Sequence, residues 1–414
     1  MTVALLKYYE RNQQKSQTKF MKTGYSIRTW RMRLVCPEPI WLARTEEYFQ
    51  NVVEFYYHLL RQHEELWNSS LFDIQRSLEL LTLTGRDGRQ PTNPLPMGKV
   101  PVYLRRAAIN KASATVKSTQ ELQSGFPEKL EAKVTFFKGM YSDLTDRSIC
   151  LKLWNGEKWI WTDCNLKGRP FPQDGQLMSP TLVKEGRRYL LNIPVKQENS
   201  DARTAKERMA EGTNLCSVRF TNTDTFAVCC ILDEQGKQLA VHTCRGGDAY
   251  RHRCKLLETR IQKSRPNTVG DNSPQPNRKY YIHLKNLSEH YAHQVSREIL
   301  NFCKENQAGI IVLPDYDQNF TRMAMVKSGN FSPLHLSSKI RTNLQYKAWA
   351  EGILVLETRT DGLKDKCAIC GGKVRRKGNE FLCENGHQGN RFLNDARNLG
   401  RKCQDSFFRR SRIK

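Results

Sequence analysis

The sequence predicts a multidomain protein of the mixed α/β class: a small β-barrel interrupted by helices, followed by an α/β domain that carries a zinc ribbon. Three observations lead to this class. The first half begins with one strand, continues with amphipathic helices and ends in segments that alternate apolar and polar residues. The second half alternates strands with helices, as in a mixed sheet covered by helices. Near the C-terminus, cysteine and histidine residues have the spacing of a structural zinc site.

The charge of the chain favours a polyanionic partner. Its 414 residues include 67 Lys and Arg against 42 Asp and Glu, which gives a formal net charge of +25. A surplus spread along the whole chain attracts nucleic acid, and it exceeds what solubility alone requires. The thirteen cysteines, most of them isolated in apolar stretches, predict reduced thiols and a cytosolic location. No secretion signal or apolar run of membrane-spanning length occurs, so we expect no membrane partner.

The first predicted elements are a basic tail and a strand. Residues 1–25 are polar and basic, and we expect them to be partly disordered. Residues 26–35 alternate apolar and basic residues apart from a slip near Thr29, which predicts a strand with a basic face. Pro37 and Pro39 are expected to end this strand. The basic face consists of Arg28, Arg31 and Arg33.

Three helices are predicted after this strand. A long amphipathic helix is expected to begin at Thr45, which is suited to an N-cap position, and to continue to Trp67. Residues 71–84 and 100–122 are predicted to form further helices. A loop rich in proline and glycine separates them at 85–98.

Residues 131–196 change to a period of two, which predicts strands. The segments "KVTFFKG", "SICLKLWNGEKWIWTDC" and "RRYLLNIPVK" carry the alternation, and Asn155-Gly156 is a strong hairpin signal. We therefore assign residues 26–42 and 123–200 to one β-barrel, and residues 43–122 to a helical lobe inserted in it.

A polar linker at 197–212 leads to the second half, where strands and helices alternate. We expect a β-hairpin that turns at 234–236, a loop at 264–278, a helix at 281–306, a buried strand at 309–316, a helix at 332–350 and a strand at 352–357.

The most specific local pattern is "CAICGGKVRRKGNEFLCENGH". Cys367 and Cys370 form a CxxC pair, and Cys383 and His387 form a CxxxH pair. Four such ligands in two close pairs suit one tetrahedral zinc ion with a structural role. A redox-active CxxC is the alternative, which the second pair disfavours. We assign residues 363–389 to a zinc ribbon.

The order of hairpin, long helix, "IIVL" strand, ribbon and "NRFLNDARNL" resembles the RuvC-like half of the TnpB-type transposon nucleases and of the miniature, Cas12f-like type V CRISPR effectors. The resemblance covers about residues 200–410. It extends more loosely over the N-terminal half, which corresponds to a wedge barrel and a recognition lobe in that family. It implies a RuvC-like (RNase H-like) α/β domain over residues 213–362 and 390–414, with the ribbon inserted.

The family's nuclease centre holds two divalent metal ions with three acids. The Asp of the "GIDLGINNLAV" pattern aligns within one residue of Phe220, whose neighbours Arg219 and Thr221 are no better as metal ligands. The Glu of "IVxEDL" aligns with Pro314, and the Asp of "DxNAARN" aligns with Phe392. The residues that match this last pattern are Asn394, Ala396, Arg397 and Asn398. The resemblance therefore implies a degenerate nuclease without catalytic magnesium.

An active nuclease with relocated acids is the alternative. Four acidic residues lie near the lost positions in the sequence: Asp224, Asp315, Asp317 and Asp395. Asp315 directly follows the Glu position, but adjacent strand residues point to opposite faces of a sheet.

Eight basic residues are candidate nucleic-acid contacts, and a solvated surface is the competing interpretation for each. Three belong to the first strand, and four belong to a helix that the resemblance places beside a guide–target heteroduplex. The last one belongs to the C-terminal pattern. They are Arg28, Arg31, Arg33, Arg105, Arg106, Lys111, Lys117 and Arg397.

The leading hypothesis is an RNA-guided DNA-binding protein without nuclease activity, which controls transcription by occupying its target. Its expected partners are a guide RNA and double-stranded DNA, and its expected location is the bacterial cytoplasm, at the nucleoid. Repression, recruitment of RNA polymerase or a sigma factor, and a homodimer on one guide RNA all stay open. An unguided transcription factor is disfavoured, because no helix-turn-helix pattern occurs.

Overall fold

A computed structural model of the chain describes residues 24–85, 87–172, 174–264, 277–316 and 333–411. They form two compact units, one of Ile27–Gln197 and one of Glu198–Lys414 together with the N-terminal segment to Ser26. The expected disorder of the basic tail falls on residues 1–23, outside the described ranges. No helix in these ranges is long and apolar enough to span a bilayer.

The first unit is built on a curled half-barrel sheet of seven strands. The strands are β1 Tyr25–Val35, β2 Tyr141–Ser142, β3 Ser148–Trp154, β4 Trp159–Lys167, β5 Gln176–Leu177, β6 Thr181–Glu185 and β7 Arg188–Glu198. The order is β2-β3-β4-β1-β7-β5, with β6 also paired to β7. The predicted strand "KVTFFKG" is wrong, because residues 133–139 contribute only one bridge, from Thr135 to Thr181.

β1 alternates without the predicted slip. Arg28 shares its face with the buried Met32, and Ile27 is 48% exposed on the opposite face, beside Arg31 and Arg33. An unbroken strand reverses the expected orientations of residues 27 and 28, because side chains alternate strictly along it. The outward basic face of β1 is therefore formed by Arg31 and Arg33.

Helices α1 Pro39–Gln62, α2 Leu71–Thr82 and α3 Val102–Leu122 follow β1 and pack together. The predicted N-cap at Thr45 is wrong: the helix starts at Pro39, which suits the first helical position. Thr45 is buried inside α1, where its hydroxyl donates to the Trp41 carbonyl at 2.6 Å and accepts from the Trp154 amide at 2.9 Å. It therefore fastens α1 to β3.

The second unit has a five-stranded sheet of order β10-β9-β8-β11-β12, in which β11 runs parallel to β8 and β12. The strands are β8 Asn214–Phe220, β9 Thr225–Leu232, β10 Gln238–Arg245, β11 Ala308–Asp315 and β12 Leu354–Arg359. Its helices are α4 Ala205–Ala210, α5 Gly247–Lys263, α6 Arg278–Glu305, α7 Ser337–Trp349 and α8 Arg391–Ser411. The ribbon strands are β13 Val374–Lys377, β14 Glu380–Cys383 and β15 Gln388–Asn390.

Three details of this unit differ from the prediction. The single expected hairpin is a three-stranded meander with two turns, because β8 already turns back into β9 after Phe220. The predicted linker contains α4, which a capping box between Thr204 and Glu207 stabilises. Helix α5 was not predicted.

The sheet separates two apolar cores, and this separation decides which residues meet. Ile310 and Val312 of β11 pack with Leu399 of α8, whereas Phe220 of β8 packs on the other face with residues such as Val295 of α6. Functional side chains near α8 must therefore come from the α8 face of each strand.

Candidate metal centre and the cleft beside helix α8

Two tight turns present the four predicted metal ligands. The Gly371 amide donates to the Cys367 carbonyl at 2.8 Å, and the Gly386 amide donates to the Cys383 carbonyl at 3.0 Å. Both glycines have positive φ, 76° and 83°, which glycine adopts without steric cost. The two turns therefore bring the three thiols and the imidazole of the two pairs close together.

The ligand atoms of Cys367, Cys370, Cys383 and His387 all lie within 4.8 Å of one another. The Cys370 and Cys383 Sγ atoms are 3.3 Å apart. The pKa of the Cys370 thiol is lowered to about 6, chiefly by a hydrogen bond from the Asn385 side chain. The lowered pKa favours the thiolate form of Cys370, which is the form that binds zinc, whereas burial and the neighbouring thiols raise the pKa of Cys383.

His387 supplies an independent test of fit. Its Nδ1 atom is buried and has no hydrogen-bond partner in the described part of the chain. A buried polar atom without a partner is costly, and coordination to an ion removes that cost. The donor set of three sulfurs and one nitrogen therefore fits one structural zinc ion.

Matched residues of "FLNDARNL" attach the ribbon to α8. Asn394 accepts from the Ala368 amide at 2.8 Å and donates to the Lys366 carbonyl at 2.8 Å. Asn398 donates to the carbonyls of Lys366 and Leu363. The side-chain amides of Asn394 and Asn398 therefore have a structural role, which accounts for two of the matched residues of this motif.

The three positions predicted to have lost their acids are occupied as follows. Pro314 is buried on the α8 face of β11, and Phe392 is 8% exposed in the first turn of α8. Phe220, however, lies on the opposite face of β8, in the core beneath α6. Its neighbour Arg219, within the stated margin of one residue, is the β8 side chain that faces Pro314 and α8.

Arg219 belongs to a buried charged triad. Asp395, 2% exposed, lies 3.3 Å from Nε of Arg219 and receives a 2.5 Å hydrogen bond from Arg376 of the ribbon. Arg219 also donates to the Tyr316 hydroxyl at 2.8 Å. The cavity that remains beside this triad is about 10 Å³, which is room for no more than one water molecule.

The relocated acids do not converge in the described ranges. Asp395 is neutralised by the two arginines, and Asp224 accepts from the Asp248 amide at the β8–β9 turn. Asp315 is exposed at the end of β11, next to the α8-facing Pro314. Asp317 lies outside the described residues.

A second group of metal-binding side chain types, which the sequence reasoning missed, lies away from this cleft. His242, Cys244 and Glu298 bring their ligand atoms within 4.8 Å of one another. Nε2 of His242 is hydrogen-bonded to Glu298 at 2.6 Å, above the buried Cys244 thiol. This hydrogen bond pairs the imidazole with the carboxylate and thereby links the edge strand β10 to α6. Glu298 lies 56 residues after His242 in the sequence, so the group gives no spacing signal.

The predicted nucleic-acid contacts in α3 differ in availability. Arg105 is 8% exposed, binds Glu79 through two nitrogens and donates to the Val100 carbonyl, so its guanidinium is occupied. Arg106, with a half-exposed side chain, shares the same glutamate. Lys117 donates to the Ser69 carbonyl at 2.9 Å.

The other predicted contacts also divide into outward and inward residues. Lys111 and Arg33 are exposed, and Arg31 is exposed and paired with Glu185. Arg28 lies on the inward face of β1. Arg397 donates to Gln238 at 2.6 Å, which ties α8 to β10.

The comparisons with known proteins cover part of the N-terminal half by sequence and most of the chain by fold. Residues 26–155 match the Aq_aa04 family model. A cryo-EM structure of a Cas12f1–sgRNA–target DNA complex aligns with a TM-score of 0.53 and 12% identity, over 87% of this chain and 81% of that chain. The mini-RNA-guided endonuclease CRISPR-Cas_phi3 aligns with a TM-score of 0.50 and 9% identity, over 94% and 96%. No curated protein matches the sequence. The chain therefore has the multidomain fold of these two structures.

Proposed function

We propose that the chain is an RNA-guided DNA-binding protein that opens and holds its target without cutting it. The fold it shares with a guide RNA and target DNA complex supports the guided part of this proposal. A net charge of +25 supplies the attraction for two nucleic acids that such a protein needs. In this mode base pairing with the guide reads the sequence, and the protein holds the heteroduplex by its shape.

The proposed loss of cleavage rests on the side chains found at and near the cleft beside α8. The resemblance aligns Pro314 and Phe392 with positions where a metal-dependent nuclease needs carboxylates, and the third position falls at Phe220, whose neighbour Arg219 faces the cleft. Proline and phenylalanine offer no ligand, and a guanidinium repels a divalent cation. Asp395, which lines the cleft together with Arg219 and Pro314, is already bound by two arginines.

A chain of this kind acts by occupancy, and transcription control follows when the target lies near a promoter. Blocking RNA polymerase and recruiting it, directly or through a sigma factor, are both compatible with occupancy. Assembly as a homodimer on one guide RNA, and a location at the nucleoid in a bacterial cytoplasm, belong to the same proposal.

The experiment begins with the protein purified from its host together with bound RNA, which is sequenced to identify the guide. Labelled matching and scrambled duplexes are then incubated with the complex and magnesium. We expect protection of the matching duplex and no strand scission. A guide-dependent cut that disappears in Asp224→Asn, Asp315→Asn or Asp395→Asn would establish the relocated nuclease instead. Equal affinity for both duplexes would leave a general nucleic-acid binder.

A further inference from the structure

The residues His242, Cys244 and Glu298, which we call the β10–α6 group, come from two elements that pack together. His242 and Cys244 are two residues apart in β10, so their side chains point to the same face of the sheet. Helix α6 packs on this face and brings Glu298 to the imidazole. The proposed function uses none of these three residues, so the group can have a role of its own.

The distances within the group suit one metal ion. The three ligand atoms lie within 4.8 Å of one another, and Nε2 of His242 is 2.6 Å from Oε1 of Glu298. A tetrahedral zinc ion with bonds of about 2.0–2.3 Å holds such atoms about 3.3–3.6 Å apart. The imidazole and the carboxylate therefore need to part slightly, and their side chains, about one third exposed, have room for this movement.

Neighbouring side chains hold the ligands in position. Phe302 follows Glu298 by one turn of α6, is 8% exposed, and has its ring centroid 5.2 Å from that of His242. Cys229 lies directly across from His242 in the pairing of β9 with β10, and its thiol interacts with that of Cys244. The ligands thus sit on a packed strand and a packed helix, which lowers the cost of assembling a metal site.

We propose that the β10–α6 group reversibly binds one zinc ion, separate from the ion of the ribbon. A thiolate, an imidazole and a carboxylate are ligands that zinc takes in proteins, whereas Mg²⁺ and Ca²⁺ prefer oxygen ligands alone. Three protein ligands leave the fourth position to a water molecule at the exposed side of the group. The ion replaces the hydrogen bond between His242 and Glu298 and joins the edge strand β10 to α6 more firmly.

This site is weaker than the ribbon. The ribbon offers three sulfurs and one nitrogen, whereas the β10–α6 group offers one sulfur and leaves one position to water. The entering ion must also displace the proton of the Cys244 thiol, which passes to solvent. Dialysis into metal-free buffer should therefore empty the β10–α6 group and leave the zinc of the ribbon in place.

The test starts from protein dialysed in this way. Equilibrium dialysis against rising concentrations of free zinc, followed by metal analysis, measures the further uptake. We expect the wild-type protein to bind about one further equivalent, and His242→Gln and Glu298→Gln to bind none over the same range. Glutamine at position 242 still offers an N–H donor to Glu298, so the hydrogen-bonded link is kept while the imidazole ligand is lost. His283→Gln removes an exposed histidine from α6 and is the matched control, which should keep the uptake.

Zinc should also raise the thermal midpoint of the wild-type protein and of His283→Gln but not that of His242→Gln, because an ion that binds only the folded chain stabilises it. The zinc of the ribbon, measured in each variant before the titration, verifies folding. A wild-type protein that takes up no further zinc would overturn the site, and so would equal uptake by His242→Gln. The assay contains no nucleic acid, so its outcome is independent of the proposed function.

Discussion

Asp395 is the buried acid of the cleft beside α8, and its ion pairs determine whether the cleft can bind a metal ion. Its carboxylate is almost fully buried, and two guanidiniums compensate its charge from different elements, one on β8 and one on the ribbon. Such a group is a poor metal ligand, because a cation would have to displace both arginines. It is also a costly group to remove, because each arginine would keep a charge in a poorly solvated place.

Replacing Asp395 with Asn tests this role. We expect the free energy of unfolding to fall by about 3 kcal/mol, since removing one partner of a buried ion pair strands the other charges. Urea unfolding measures the change, with the exposed Asp315→Asn as a control expected to change stability by less than about 0.5 kcal/mol. An unchanged midpoint for Asp395→Asn would mean that the triad contributes nothing to stability.

Thr45 allows a second residue-level prediction. Valine preserves its shape but removes the hydroxyl that accepts from the Trp154 amide. We expect Thr45→Val to destabilise the protein by about 1–3 kcal/mol, because a buried donor loses its partner. Thr115→Val is the control, since that hydroxyl makes only an exposed bond within α3. Equal urea midpoints for the two variants would refute the fastening role of Thr45.

Among the elements, the zinc ribbon is the one that depends most on an ion. Its own apolar cluster contains only Cys367, Phe381 and Cys383, with Val374 packed against them. So small a core cannot hold three short strands, and the ion supplies the missing stability. The strands β13 and β14 also carry Arg376 over the cleft, so the ribbon and the triad support each other.

Cys370→Ser should therefore lower bound zinc from about one equivalent to nearly none. Metal analysis after dialysis measures the content, and limited proteolysis between residues 363 and 390 reports the loss of ribbon structure. Cys150→Ser, in the sheet of the other unit, is the control and should keep its zinc. Full zinc retention in Cys370→Ser would remove this residue from the ligand set.

The same elements indicate what sequence can and cannot predict. The ribbon ligands follow from spacing alone, because the hairpin is short and the ligands are local. Helix α5 escaped prediction because it buries few side chains, including Tyr250, Cys254 and Ile261, which give a weak apolar period. The first turn of the meander was missed because the residues between Phe220 and Phe226 include neither glycine nor proline, the strongest turn signals.

Local sequence patterns do not predict contacts between residues that are distant in the chain. Arg105 looked available for phosphate because nothing nearby in sequence neutralises it, yet Glu79 reaches it from α2. The triad of Arg219, Arg376 and Asp395 joins three elements, so only the assembled sheet and ribbon reveal it. The sequence predicts Pro314 and Phe392 at two of the aligned acid positions, whereas the two arginines that bind Asp395 become apparent only in the folded chain.

For the whole molecule, the charge of +25 and the proposed guided binding together predict two distinguishable binding modes. The guide-free protein should bind duplex DNA weakly and with a steep dependence on salt, because phosphate contacts alone contribute. Loading the guide should add tight binding at matching duplexes, because base pairing then contributes as well, and mismatches near the flanking motif should cost most. Affinities measured for matched, mismatched and scrambled duplexes at several salt concentrations separate the two modes.

The salt dependence of binding can be tested at two particular side chains, Arg33 and Lys111. Both are exposed, so we expect Arg33→Gln and Lys111→Gln each to weaken guided binding about equally for matched and mismatched duplexes, since phosphate contacts carry no sequence information. Each variant should also lower the salt slope by about 1. Arg397→Gln is the contrasting variant: its guanidinium is bonded to Gln238, so it should change stability more than the salt slope. A change in the preferred target sequence in Arg33→Gln or Lys111→Gln would show that the residue reads bases, and an unchanged slope would place it outside the nucleic-acid surface.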